Sequence, residues 1–172
     1  MTPGEHFVEL DKNVHDRSSF DCGADELNLF LRQYAARHRA AGISMTMVLP
    51  AVDDETRICA YYTLSHTGIK RQSLPEPAAK QLPYYPVPVI LIAQFAVHVD
   101  LQGQGLGKVA LVGALHHAHE INEHLPSFAV IVDVLQEEVR GFYEQYGFEL
   151  LDMQNQRSRL FIPMKTVAQL FR

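Results

Sequence analysis

Gln102-Gly103-Gln104-Gly105-Leu106-Gly107 stands between the apolar run 89–99 (VILIAQFAVHV) and a helical pattern over about residues 105–121. The run is rich in β-branched residues and reads as a central strand buried on both faces. Alternating glycines let backbone N–H groups approach an anion closely, and the following helix N-terminus adds partial positive charge. The stretch therefore reads as a pyrophosphate cradle. The plainer reading is a tight strand-to-helix turn.

Two better-known cradles fit poorly. A dinucleotide fingerprint starting at Gly103 would need glycine where Lys108 stands, and an acid at a strand tip about 20 residues on; Glu123 falls in a polar helix end. A Walker A loop needs Ser or Thr after Gly-Lys, and Gly107-Lys108 is followed by Val109.

Working outward, residues 127–134 (SFAVIVDV) read as a second buried strand, followed by a helix over 136–146 that stops at Gly147. Residues 148–152 and 158–163 form a final strand pair, with a short helix after Pro163. Upstream, residues 5–10 read as a short strand. Asp25 is a candidate N-cap for a helix over 26–41, whose Leu27, Phe30, Leu31 and Tyr34 follow helical spacing, with Gly42 as its C-cap. Ile43, Met45, Met47 and Leu49 alternate with smaller residues, which suits a half-buried strand, paired with residues 57–65. Residues 68–88 hold Pro75, Pro77, Pro83, Pro86 and Pro88, so long regular structure is not expected there. A loop of that length is usually functional or mobile.

The 172 residues suit one domain spanning 1–172, and 47% are hydrophobic. No apolar run reaches the roughly 18 residues of a membrane span, and no secretory signal is visible, so a cytoplasmic protein is expected. Cys22 and Cys59 are too few for a disulfide framework. The net charge of -5 argues against a general polyanion binder. Yet residues 27–42 carry Arg32, Arg37 and Arg39 without an acid, and residues 153–172 carry Arg157 and Arg159 without a glutamate or aspartate. These five arginines are candidates for a local basic face.

Gly141-Phe142-Tyr143-Glu144-Gln145-Tyr146-Gly147-Phe148 is the second signal. Gln-x-x-Gly-x-Gly followed by Phe-Tyr-x-x-Tyr-Gly-Phe resembles motifs A and B of the GNAT acetyltransferases. The resemblance implies a mixed central β-sheet flanked by helices, an α/β (α+β) fold, and acetyl-CoA as cosubstrate. It implies that Phe95, Ala96 and Val97 line the pantetheine arm. Gln102, Gly103, Gln104, Gly105, Leu106, Gly107 and Lys108 would hold the pyrophosphate, and Tyr143 would protonate the leaving thiolate. Tyr146 and Phe148 are expected to pack.

Further pieces occur in order: His15-Asp16-Arg17-Ser18-Ser19-Phe20-Asp21-Cys22-Gly23, Leu27-Asn28-x-x-Leu31, Tyr61-Tyr62-Thr63-Leu64 and Val87-Pro88-Val89. Together they are similar to the GNAT toxins of bacterial toxin–antitoxin pairs. That likeness implies acetylation of the α-amino group of aminoacyl-tRNA, a ribbon-helix-helix antitoxin as partner, and a possible homodimer. The branch commonly has Arg where this chain has Met45 and Gln94. Two other functions stay open: a GNAT enzyme for a small-molecule amine or protein N-terminus, and a catalytically degenerate acetyl-CoA-binding module.

Other reactive side chains read modestly. His98 is a candidate base or a strand-end histidine with a satisfied hydrogen bond. Of His116, His117 and His119, only the 116/119 pair shares a helix face, so no metal is expected. Cys22 is expected to pack rather than react.

Overall fold

The computed structural model describes residues 1–84 and 86–172; Tyr85, within the proline-rich segment, lies outside the described residues. The strands form a mixed seven-stranded sheet in the order β1-β2-β3-β4-β5-β7-β6. They are β1 (Val8–Glu9), β2 (Met45–Pro50), β3 (Ile58–Ile69), β4 (Val87–Val97), β5 (Ala129–Asp133), β6 (Glu149–Gln154) and β7 (Arg157–Pro163). β4 and β5 pair in parallel, whereas β1–β2, β2–β3, β5–β7 and β6–β7 are antiparallel. The chain divides into two compact units, residues 1–65 with 93–114, and residues 66–92 with 115–172.

In the first unit, α1 (Asp25–Leu29), a π-helical turn (Phe30–Tyr34) and α2 (Ala35–Ala40) follow one another. Leu31, Ala35, Phe30 and Phe20 pack with Val48, Ile58, Tyr61 and Ala96. The Tyr61 hydroxyl donates to the Leu27 carbonyl at 2.7 Å. A side-chain donor inserted at a helix carbonyl is a recognised way to disturb the helical ladder, and the π turn begins three residues on. Gly42 has φ +75, as a left-handed C-cap requires.

One sequence expectation fails in this unit. The N-cap is Ala24, with no side-chain cap bond, and Asp25 is the first helical residue. The polar anchor sits elsewhere: buried Asn28 donates to the Asp21 carboxylate and accepts from the Cys22 N–H, both at 2.9 Å. β2 is covered on both faces: Thr46, Val48 and Leu49 are buried, Met45 and Met47 half-buried, and Ile43, before the strand, is exposed. Thr46 tolerates burial because its hydroxyl shares a 2.7 Å hydrogen bond with that of Thr63, its cross-strand partner.

In the second unit, Ile69, Leu74, Val87, Val89, Ala129, Ile131, Leu151 and Phe161 form one cluster. The proline-rich segment carries only short pieces of regular structure between its two flanking strands. β3 runs on to Ile69, a 3-10 turn spans Arg71–Ser73, α3 spans Glu76–Ala79, and β4 starts at Val87. Pro75 and Pro77 sit at the start of α3, where a missing N–H costs nothing. The Arg71 guanidinium bonds the Ala79 carbonyl and lies 4.3 Å from the Tyr84 ring centre. The helix expected over 136–146 is a 3-10 turn, Glu137–Val139, followed by α5 (Arg140–Glu144). Asn155 and Gln156 turn the β6–β7 hairpin with φ 50 and 66. α6 (Met164–Leu170) starts directly after Pro163.

Candidate active site

β4 ends at Val97, and α4 (Leu106–His124) begins nine residues later in sequence. The connection is held from both sides. The His98 N–H donates to the Cys59 carbonyl at 2.9 Å, and the Val99 N–H to the Asp21 carbonyl at 2.8 Å. Gln102 then donates its side-chain amide to the carbonyls of Val97 at 2.8 Å and Cys22 at 2.9 Å. Both amide hydrogens are thus used within the protein, so its side chain braces the cradle. Gln104 likewise turns back to the Asp100 carbonyl at 3.2 Å.

Gly103 and Gly105 have φ +77 and +84, and a Cβ on either would meet nothing within 4 Å. A left-handed backbone beside open space suits a ligand that reaches main-chain N–H groups. Leu106 anchors the helix start in a cluster with Leu101 and Ala110. Gly107 and Lys108 lie inside the first turn of α4, with Lys108 exposed. Phe95 and Val97 pack against that same cluster, and Ala96 against the Phe20–Tyr61 cluster. The register of β4 against β5 covers Ile90–Ile92, and Phe95–Val97 come after it. The ten residues expected at the coenzyme therefore occupy one continuous piece of chain, strand end through helix start.

Tyr143 belongs to the second unit. It lies on α5, 7% exposed, with its ring edge-on to Phe148 at 5.7 Å and to Phe142 at 5.3 Å. Burial pushes its phenol up to about 12. Tyr146 is half-buried against Phe142, and Phe148 is buried, as their packing assignment requires. Gly147, with φ +101, turns the chain between them.

His98 takes the plainer of its two readings. Its Nδ1 accepts the Asp100 N–H at 3.2 Å, and its buried ring meets Phe20 edge-on at 5.7 Å. His116 and His119 pair with Glu120 and Glu123, at 2.8 and 3.7 Å, and both rings lie against Phe171. Burial pushes the Cys22 thiol up, away from thiolate chemistry.

The five arginines divide. Arg159 is clamped by Asp133 through two hydrogen bonds of 2.6 and 2.9 Å. Arg39 pairs with Glu9 at 2.6 Å. Arg32 and Arg37 are exposed on the helical stretch of the first unit, and Arg157 is exposed in the second. Neither Asp133 nor Glu9 is near its arginine in sequence, so the acid-free stretches overstated the free charge. Strand pairing of β5 with β7 brings Asp133 opposite Arg159. The Gln102 brace was equally hidden, because nothing in the sequence marks a carbonyl 80 residues away as its partner.

The family model for the acetyltransferase (GNAT) domain matches residues 89–168. A tRNA-acetylating toxin of Mycobacterium tuberculosis is 30% identical over 138 residues, covering 80% of this chain and 81% of that protein. The solved structure of AtaT complexed with acetyl-methionyl-tRNAfMet is 28% identical and superposes with a TM-score of 0.87, covering 97% of this chain and 99% of that one. That of AtaTR bound with AcCoA is 27% identical with a TM-score of 0.81, covering 97% and 98%.

Proposed function

The chain belongs to the GNAT acetyltransferases, and from that premise we propose that it is a toxin that acetylates the α-amino group of aminoacyl-tRNA and so blocks translation. The observation that carries this reading is the likeness to a tRNA-acetylating toxin over 80% of the chain, with the glycine cradle inside the matched family domain.

Acetyl-CoA supplies the activated acetyl group. The N–H groups of Gly103–Gly107 hold its pyrophosphate, with the helix dipole of α4 behind them. The amine nitrogen bonds to the acetyl carbon, the carbon–sulfur bond breaks, and the surplus proton on nitrogen passes to water. N–H groups of the Phe95–Val97 segment stabilise the charge that builds on the acetyl oxygen. Tyr143 supplies a hydrogen to the departing sulfur. A phenol held at about 12 stays protonated at any working pH. Full transfer to a thiolate of ordinary pKa near 8.5 would leave a buried phenolate, so Tyr143 acts chiefly as a hydrogen-bond donor to the developing thiolate. No base is required, because an α-amino group of pKa near 7.7–8.0 is partly neutral at pH 7.

Arg32 and Arg37, both exposed, are the arginines of the candidate set that carry the tRNA contact in this reading. A ribbon-helix-helix antitoxin, cytoplasmic location and a homodimer belong to the same proposal. Co-expression with a cognate ribbon-helix-helix protein should relieve growth arrest, and sedimentation should give twice the chain mass.

A second reading, acetylation of a small amine, draws on three observations. Met45 and Gln94 stand where the toxin branch commonly has arginine, the net charge is -5, and Asp133 and Glu9 occupy two of the five candidate arginines. Expression in a cell-free translation system separates the two. The proposed function requires translation to stop only when acetyl-CoA is present; undisturbed translation overturns it.

A further inference from the structure

Tyr84 is 83% exposed, although the segment that carries it is packed. Leu74 is buried in the core cluster of the second unit, and Ala79 and Leu82 pack against that cluster. The segment thus seats its aliphatic side chains and leaves the tyrosine ring outside. Pro83 restricts the backbone just ahead of it. The Arg71 guanidinium lies 4.3 Å from the ring centre and bonds the Ala79 carbonyl. A cation held over the ring covers one of its faces and leaves the other to solvent. Lys70 comes directly before Arg71 and Lys80 directly after Ala79, so the Arg71–Ala79 bond draws both lysines into one neighbourhood. Both are exposed. Glu76 is the one acid in residues 56–99, a stretch that also holds Arg57, in a chain whose net charge is -5.

We propose that the Tyr84 ring, backed by Arg71, is a stacking platform for an unpaired base at the 3′ end of charged tRNA, an inference that deepens the function proposed above and rests on it. Every base has a π-face, so a ring with one open face accepts it without a hydrogen-bond code. Lys70 and Lys80 supply the positive charge that the phosphates beside a stacked base require. The unpaired 3′ end is the part of the tRNA that carries the amino acid, and unpaired bases are the ones free to stack on a side chain. A paired stem would offer phosphates to the lysines but no base face to the tyrosine. A protein partner would need an apolar surround at the centre of its contact, whereas the charged neighbours of this ring suit phosphates.

The test uses the full chain, acetyl-CoA, charged tRNA and a single-stranded RNA oligonucleotide with the sequence of the tRNA 3′ end. Tyr84→Ala should lower kcat/KM for charged tRNA by about five- to a hundredfold, the scale of one lost stack. Tyr84→Phe keeps the ring and should stay within about twofold of the parent. The melting temperature should hold in both variants, because the ring is exposed. The sequence contains no tryptophan, so Tyr84→Trp installs a single fluorescent reporter. Its emission should be quenched as the oligonucleotide saturates the site, and the same sequence closed into a duplex should quench it far less. A Tyr84→Ala variant that reacts at the parental rate overturns the inference, as does one whose lost activity tracks a lowered melting temperature. Emission that the oligonucleotide leaves unchanged overturns it too, and assigns the ring to a protein partner. A parent that leaves charged tRNA unmodified, with the reporter still quenched by the oligonucleotide, overturns the proposed function while supporting the RNA platform.

Discussion

The side-chain amide of Gln102 donates to the main-chain carbonyl of Val97 at 2.8 Å, tying the first residue of the glycine cradle to the last residue of β4. Its second hydrogen reaches the Cys22 carbonyl at 2.9 Å, which adds the turn before α1 to the same brace. Gln102→Ala removes both bonds and leaves the backbone donors in place but unbraced. At about 0.5–1.5 kcal/mol per bond, acetyl-CoA affinity measured by calorimetry should weaken by roughly 5- to 100-fold. An unchanged affinity would show that the brace does not shape the cradle.

Gly105→Val tests the cradle itself. The backbone there has φ +84, and a β-branched residue in that conformation should lower stability by about 1–2 kcal/mol. Nothing lies within 4 Å of the added Cβ, so no protein neighbour is displaced. The variant should fold, yet bind acetyl-CoA too weakly to measure. Parental affinity would place the coenzyme elsewhere.

Arg159 and Arg37 should behave differently although both were candidates for the same basic face. Arg159→Ala strips the clamp from Asp133 and should cost about 1–3 kcal/mol in denaturant unfolding, with the salt dependence of tRNA binding unaltered. Arg37→Ala should leave stability alone and reduce the slope of log affinity against log salt by about one. The reverse pattern would reassign both residues.

Two pH effects follow from the titrating groups. Acetyl transfer at saturating acetyl-CoA should rise through about pH 7.7–8.0 as the acceptor amine loses its proton. It should then stay level to about pH 10, because the Tyr143 phenol is pushed up to about 12. Stability carries the same signature. Below pH 10 the phenol is protonated in the folded and unfolded chain alike, so its contribution is constant. Between pH 10 and 12 the unfolded chain ionises first, and stability falls as pH rises. Tyr143→Phe should make that part of the curve shallower, while Tyr61, whose phenol burial also pushes up, keeps the remaining slope; an identical alkaline slope in both proteins would contradict the burial of the Tyr143 hydroxyl.

The strand-to-helix turn was legible because its signal is local. Gly103 and Gly105 take left-handed backbone where they stand, and the apolar run before them is a strand. Gly42 and Gly147 were legible for the same reason. Thr46 was not, because its burial depends on Thr63 across the sheet. The free charge on residues 27–42 and 153–172 was overread, since Glu9 and Asp133 approach only through the fold. The four-residue helix at Pro75 and Pro77 agrees with the expected lack of long regular structure, because proline breaks a helix interior but not its first turn.

The central claim is that this chain moves acetyl from acetyl-CoA to the α-amino group of aminoacyl-tRNA with Tyr143 as hydrogen-bond donor to the departing sulfur. The most direct measurement is single-turnover transfer of labelled acetyl to charged tRNA, with uncharged tRNA and free amino acid alongside, for the parent, Tyr143→Phe and Tyr146→Phe. The account predicts label on charged tRNA only, a Tyr143→Phe rate lower by about 10²–10⁴-fold with acetyl-CoA binding intact, and a near-parental Tyr146→Phe rate. Label on the free amine but not on charged tRNA, or a Tyr143→Phe variant as fast as the parent, would contradict it.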